Sequence, residues 1–174
     1  MDFIEGLPSS SGCTVILVVV DRFTKYAHFL PLKHPFTAAQ VAQLFLDNVV
    51  KLHSTPKSIV SDRDKIFTSI FWKELFKRCD TQLALTTAYH PQSDGQSERV
   101  NQCLEMYLRC AVHSSPTKWK QLLPLAEFWY NSSHHTALGC SHFKALYGYE
   151  TTYGFIPELT DSAPAELQTV LKER

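Results

Sequence analysis

The sequence lacks an excess of either charge. Lysine and arginine together number 17, and so do aspartate and glutamate, so the formal net charge is zero with neutral histidines. No overall basic field draws such a chain to nucleic acid. A nucleic-acid partner would have to be held by a local patch, by bound metal ions or by segments outside these residues.

Paired cysteine motifs are also missing. The five cysteines are odd in number and scattered, with no C-x-x-C pair: Cys13, Cys79, Cys103, Cys110 and Cys140. This pattern argues against both a disulfide framework and a structural zinc site, and it indicates a reducing compartment. His134 and His135 are adjacent, so on a regular element they point to different sites and do not restore a zinc prediction.

Long hydrophobic runs are absent as well. The apolar run from Val15 to Val20 has six residues, far fewer than a bilayer-spanning helix needs. The acidic residues Asp2 and Glu5 do not suit a signal peptide. We therefore predict no membrane partner.

The chain does contain the material for a folded core. Hydrophobic residues make up 44% of it, aromatic residues 12% and charged residues 20%, which is ordinary for one compact domain. We predict a globular core over residues 1–150, followed over 151–174 by a linker and the start of a C-terminal helix. That helix stops without a cap, so we expect the chain to be a piece of a longer polypeptide.

The hydrophobic patterns predict an α/β fold with a five-stranded mixed sheet flanked by helices. Three antiparallel strands should open it, and a β-α-β-α-β series should follow. A mobile loop at 88–95 is expected to precede three further helices. The predicted strands are 1–4, 14–20, 26–30, 58–60 and 82–86, and the predicted helices are 37–53, 71–79, 98–111, 117–130 and 141–147.

Three acidic residues are the candidate site. Asp2 lies on the first predicted strand, and Asp62 follows the strand at 58–60, where ligands gather in mixed sheets. Glu98 falls on the polar face of its helix, opposite the apolar stripe. Taken singly, such acids are usually solvated or capping residues. Asp64 competes with Asp62 for the second position, and Asp21, after the strongest strand, competes with Asp2.

Three converging carboxylates would repel one another without a cation, and hard oxygen ligands suit Mg²⁺ or Mn²⁺. Two such ions about 3.5–4 Å apart can clamp the attacking and leaving oxygens of a phosphoryl displacement. The nucleophile would be a water or a DNA 3′-hydroxyl, and the electrophile a backbone phosphorus. This predicts an enzyme that cuts and joins DNA.

The sequence around these acids resembles the integrase catalytic core of gypsy-type LTR retrotransposons, a retroviral-integrase-like family. The resemblance runs from Asp2 to about Glu150. It is carried by MDFIEGLP, ILVVVDRFTKYAHFLPL, SIVSDRDKIFTSIFWKEL, TAYHPQSDGQSERVNQCLE and WKQLLPLAEFWYNSSHHTALGCSHFKALYG. It implies a ribonuclease H-like fold and assigns catalysis and metal binding to Asp2, Asp62 and Glu98. The 35 residues between Asp62 and Glu98 match the DD35E spacing of that family.

The resemblance also implies an activity and its partners. A polynucleotidyl transferase with two Mg²⁺ or Mn²⁺ ions would process the 3′ ends of the element's DNA and transfer them into host DNA, without a covalent enzyme intermediate. DNA is the implied partner, and the full-length protein is expected to be a homo-oligomer. The DNA substrate implies a nuclear location, which would follow a stage in a cytoplasmic particle before import. A zinc-binding domain before Met1 and a DNA-binding module after Arg174 are expected elsewhere in the full protein.

Further positions are implied to contact DNA. A flexible loop beside the active site of similar integrases matches Tyr89, His90, Gln92, Ser93 and Gln96. Arg99 and Asn101 lie within a turn of Glu98 and would contact phosphate or support the acid; their other interpretation is plain helix surface.

Two rival hypotheses stay open. The chain could be an inactive or domesticated descendant that serves as a nucleic-acid-binding scaffold, or a nuclease of the same fold acting on an RNA–DNA hybrid. The complete acid triad favours an active integrase, and the sequence from Tyr89 to Glu98 disfavours the nuclease. Because Asp2 is the second residue, we expect its strand to lack upstream ladder bonds, which predicts feeble activity for this stretch alone.

Overall fold

The computed structural model describes residues 1–85 and 91–152, with the backbone alone for 91–95. It opens with three antiparallel strands, β1 (Asp2–Ile4), β2 (Val15–Val20) and β3 (Ala27–Leu32). The register pairs Asp2 with Val18 and Val20 with Ala27. The predicted antiparallel opening of the fold is confirmed.

The predicted helix at 37–53 is present with an interruption. Thr37 caps α1 (Ala38–Phe45) through a capping box with Gln40, as its side-chain hydroxyl allows. A π-helical turn (Leu46–Val50) then leads into the short α2 (Lys51–His53). At the end of this helical segment, His53 Nε2 lies 2.9 Å from His28 Nε2 of β3.

A parallel pair of strands follows. Strand β4 (Ser58–Ser61) pairs with β5 (Gln82–Leu85), and α3 (Lys65–Thr68) and α4 (Ile70–Arg78) connect them. The five predicted strands are therefore all present. In the described part of the chain they form a three-stranded and a two-stranded sheet rather than one hydrogen-bonded ladder. The two sheets meet where the Met1 amino group donates to the Val60 carbonyl at 2.7 Å.

The last third of the core is mainly helical. Helix α5 (Pro91–Ala111) starts earlier than predicted, so the expected loop at 88–95 is wrong from Pro91 onward. The reason is that proline's fixed φ suits the first turn of a helix, and a helix of 21 residues tolerates one internal glycine. Residues 88–90 lie outside the described ranges.

A 3₁₀ turn (Pro116–Lys118) and α6 (Trp119–Ser132) come next. The chain then forms a small hairpin of β6 (His134–His135) and β7 (Cys140–Ser141), followed by α7 (His142–Tyr147). The sequence analysis missed this hairpin, because two-residue strands carry no readable alternation. No helix in residues 1–85 or 91–152 is long and apolar enough to cross a bilayer.

Strand β2 separates two hydrophobic cores. Val15, Leu17 and Val19 face α1 and α4, whereas Ile16 and Val18 face α5 and α6, as alternate residues of a strand must. The sheet is thus covered on both sides, and the acids at strand ends are left at its margin.

Helix α6 also closes the outer edge of β3. Asn131 is buried; its side chain accepts from the Ala27 amide at 2.9 Å and donates to the Ala27 carbonyl at 2.8 Å. One turn earlier, Glu127 Oε2 accepts from the Phe29 amide at 2.8 Å. These contacts satisfy backbone groups that an edge strand would otherwise expose.

Candidate active site

Asp2 is held on both of its carboxylate oxygens. Its Oδ1 accepts from the Phe3 amide at 2.8 Å, and its Oδ2 accepts from Asn101 Nδ2 at 2.7 Å. Asn101 comes from α5, 99 residues away along the chain. The contact therefore docks α5 directly on the residue predicted to be the first metal ligand.

Asp62 follows the last residue of β4, as predicted, and is half-buried. Its Oδ1 accepts from the Asp64 amide at 3.1 Å, which fixes the turn after the strand. Asp64 Oδ1 in turn accepts from the Ile66 amide at 2.7 Å and caps α3. The rival acid at this position thus has a capping role.

Asp21, the rival of Asp2, is exposed at the end of β2. Its Oδ2 accepts from the amide and the hydroxyl of Thr24, at 2.8 and 2.6 Å. These bonds stabilise the turn between β2 and β3. As with Asp64, hydrogen bonds to a neighbouring residue give the Asp21 carboxylate a structural role in the turn.

Glu98 is exposed on α5, one turn before Asn101. Side chains three positions apart on a helix share a face, with Cβ atoms about 5–6 Å apart. Since Asn101 touches Asp2, Glu98 lies one helical turn from that contact. Arg99 and Gln96 are exposed on the same helix.

The remaining predicted DNA contacts are less defined. Tyr89 and His90 lie outside the described ranges, and the structure gives only the helical backbone for Gln92 and Ser93. Within the described ranges, no three His, Cys, Asp or Glu side chains form a group arranged to hold a metal ion. The structure links Asn101 to Asp2 and β1 to β4, and the shared metal site stays a prediction.

The donor set suits the implied metal. Asp2, Asp62 and Glu98 offer hard carboxylate oxygens, which Mg²⁺ and Mn²⁺ prefer. Beside them, the buried Oδ1 of Asn101 has no hydrogen-bond partner among the described residues. A buried amide oxygen without a partner is unfavourable unless water or an ion satisfies it. The residues present therefore fit a divalent cation.

A cavity of about 340 Å³ lies beside the site, between the end of β2, β4 and the first turns of α5. On its wall, the Nε2 atoms of His28 and His53 are 2.9 Å apart, and His28 Nδ1 is 3.0 Å from Glu127 Oε1. Because a carboxylate can only accept, His28 donates to Glu127 and, when neutral, accepts from His53. The sequence analysis missed this chain, whose members are 25 and 99 residues apart along the sequence.

Burial perturbs several groups around this wall. It lowers the pKa of His53, and His28 lowers it further, while Asp21 acts in the opposite direction. Burial together with Tyr147 raises the pKa of Tyr26 above its usual range. His53 is thus neutral and Tyr26 protonated near pH 7.

The fold places the chain in a class. It superposes on the catalytic core domain of HTLV-2 integrase in complex with magnesium, trimeric form, with a TM-score of 0.65, 16% identity, 83% of this chain covered and 93% of that one. Against a chain of the simian T-cell lymphotropic virus intasome in complex with the PP2A regulatory subunit B56 gamma, the TM-score is 0.72, with 16% identity, 87% of this chain covered and 55% of that one. The chain has the ribonuclease H-like fold of integrase catalytic cores.

Sequence comparison shows that the chain is similar to proteins of a retrotransposon. The chain is 35% identical over 174 residues to the Transposon Tf2-3 and Tf2-4 polyproteins of Schizosaccharomyces pombe, with 99% of this chain covered. It spans 13% of the length of these polyproteins. No protein-family model matches it. The resemblance to a retrotransposon integrase core is confirmed.

Proposed function

We propose that this chain is the catalytic core of a DNA-joining enzyme that carries out metal-dependent 3′-end processing and strand transfer of retrotransposon DNA. The observation that carries the proposal is the Asn101–Asp2 hydrogen bond of 2.7 Å. It seats the helix bearing Glu98 on the strand bearing Asp2, while the Met1–Val60 contact brings β4, which leads to Asp62, alongside.

Asp2, Asp62 and Glu98 would hold two Mg²⁺ or Mn²⁺ ions. When bound, these ions would stabilise the charge that develops on the transferring phosphoryl group. The magnesium complex of the HTLV-2 integrase core supports this choice of metal.

The chain's own residues then have distinct tasks. Asn101 fixes the rotamer of Asp2 by donating to Oδ2, and the Asp64 amide orients Asp62. Arg99 and Gln96 are exposed on α5 and face solvent where a DNA backbone would approach. Tyr89, His90, Gln92 and Ser93, just before them in sequence, are proposed to contact the same DNA.

The proposed partners are the element's DNA ends and the host target DNA, bound by an oligomer of the full-length protein in the nucleus. The dimeric and trimeric forms of the HTLV-2 core and the intasome of the simian virus support an oligomeric assembly.

A branched-DNA joining assay with Mn²⁺ tests the proposal. Asp62→Asn and Glu98→Gln should each lower the rate on the order of a hundredfold or more, because each removes a carboxylate that would hold the metal ions on which the transition state depends. Glu105→Gln is the matched control: the residue is exposed on the same helix two turns further on, and its activity should stay near that of the wild type.

Two outcomes would count against the proposal. Equal rates in the wild type and Glu98→Gln would remove Glu98 from the reaction. DNA binding without any joining, in a wild-type chain extended upstream of Met1 that binds Mn²⁺, would favour the scaffold hypothesis instead.

A further inference from the structure

Two histidine rings meet at the β6–β7 hairpin. His135 lies in β6, and His142 is the first residue of α7; their ring centroids are 5.1 Å apart, with 63° between the ring planes. His142 is buried, with 3% of its surface exposed, and His135 is half-buried. The adjacent His134 and His135 could not share a site by sequence. The partner of His135 is instead His142, because the chain turns back through β7 before α7 begins.

The protonation and orientation of the His142 ring are fixed by Tyr130. Nδ1 of His142 lies 3.0 Å from the Tyr130 carbonyl oxygen, which can only accept, so Nδ1 carries the proton. The same ring stacks on the Tyr130 ring, with centroids 4.6 Å apart and 12° between the planes. Burial lowers the pKa of His142; the bond to the Tyr130 carbonyl opposes this, and His135 lowers the pKa further. The ring is therefore neutral near pH 7, and its Nε2 presents a lone pair.

One nitrogen of each ring lacks a partner. His142 Nε2 and His135 Nδ1 are both shielded from solvent, and neither has a hydrogen-bond partner within residues 1–85 and 91–152. A buried lone pair of this kind is unfavourable unless water or an ion satisfies it. Histidines that bind metals typically donate their other ring nitrogen to a carboxylate or a backbone carbonyl, as His142 does to Tyr130. His142 thus has the hydrogen-bond arrangement of a metal ligand.

The separation and chemistry of the rings suit one shared ion. Imidazole nitrogen binds Zn²⁺ at about 2.0–2.1 Å, so two rings on one tetrahedral ion have centroids about 5 Å apart. The observed separation is 5.1 Å. Neutral imidazole favours Zn²⁺, Ni²⁺ or Cu²⁺ over Mg²⁺. The thiol of Cys140, which forms no disulfide, adds to this preference, because Cys140 is the cross-strand partner of His135 and lies on the same face of the hairpin.

We propose that His135 Nδ1 and His142 Nε2 bind a transition-metal cation of the Zn²⁺ type. The two nitrogens are its protein ligands, and water or the Cys140 thiolate completes the coordination. The ion ties β6 to the first turn of α7 and so fixes the hairpin between them. This site shares no residue with the three carboxylates proposed to hold Mg²⁺ or Mn²⁺, and it does not depend on the proposed function.

A Zn²⁺ titration followed by thermal melts tests the proposal, with excess Mg²⁺ in the buffer to compete for the carboxylates. Zn²⁺ at about a hundred times its Kd should raise the melting temperature of the wild type by roughly 5–10 °C. His135→Gln and His142→Gln should each bind Zn²⁺ at least about tenfold more weakly. The matched control is His134→Gln, at the exposed neighbouring position, which should bind Zn²⁺ like the wild type.

Nitrogen-15 NMR of the histidine rings checks the ligands in the wild type, without any substitution. Zn²⁺ should shift the resonances of His135 Nδ1 and His142 Nε2 and leave the proton on His142 Nδ1. Unchanged resonances at the first two nitrogens, or equal Zn²⁺ affinity in the wild type and His142→Gln, would overturn the proposal. Zn²⁺ binding that is lost in Glu98→Gln but kept in both histidine variants would also overturn it, while leaving the proposed function intact.

Discussion

Single polar side chains position the candidate site and the wall beside it, and two of these contacts join residues far apart in sequence. Asn101 reaches Asp2 across 99 residues, and Glu127 reaches His28 across the same separation. Such pairs cannot be read from local patterns, because periodicity reports which face a residue occupies and not which residue it meets. The role of the acids was inferred from the family resemblance and stays a prediction; their supporting contacts could not be inferred from the sequence.

Histidine burial predicts how stability depends on pH. Burial lowers the pKa of His53 and of His142 below the ordinary 6.5, so the folded state binds fewer protons than the unfolded state. Stability from these groups is complete above about pH 6.5 and is lost as pH falls toward the folded-state pKa values. The melting temperature should therefore decrease as the pH is lowered from 7.5 to 5.5.

The variant His53→Gln/His142→Gln should weaken this dependence, because neither glutamine takes up a proton. His113→Gln, at an exposed position, is the control and should keep the slope of the wild type. Thermal melts between pH 7.5 and 5.5 measure this dependence. If the melting temperature changes equally with pH in all three proteins, the buried histidines are not its cause.

Elements with strong periodicity were predictable, and those defined by packing were not. Strand β2, with six apolar β-branched or leucine residues, and α1, with a capping box, appear where their patterns place them. The start of α5 and the β6–β7 hairpin do not follow from local patterns. The role of α6 as a cover for β3 also depends on tertiary contacts alone.

Removing the Asn131 side chain should therefore destabilise the whole domain. Asn131→Leu leaves the Ala27 amide and carbonyl buried without partners, at about 1–3 kcal/mol for each group. We expect a loss of about 2–5 kcal/mol in urea unfolding. Gln121→Leu, at an exposed position on the same helix, should change stability by less than about 0.5 kcal/mol, and a similarly small effect of Asn131→Leu would contradict the role of α6.

At the scale of the whole molecule, contacts link three pieces of chain that are distant in sequence. Strand β1 carries Asp2, the turn after β4 carries Asp62, and α5 carries Glu98. The contacts Asn101–Asp2 and Met1–Val60 tie these pieces together. The fold class and the strongly periodic strands and helices followed from the sequence. The way the two sheets meet did not, since it depends on backbone hydrogen bonds that no residue pattern records.

Calorimetric titration with Mn²⁺ tests most directly whether these three acids share cations. Wild type, Asp2→Asn, Asp62→Asn and Glu98→Gln would be compared with the control Glu105→Gln. Each site variant should bind Mn²⁺ at least about tenfold more weakly, equivalent to about 1.4 kcal/mol, while the control binds like the wild type. Unchanged Mn²⁺ affinity in Glu98→Gln would contradict the account.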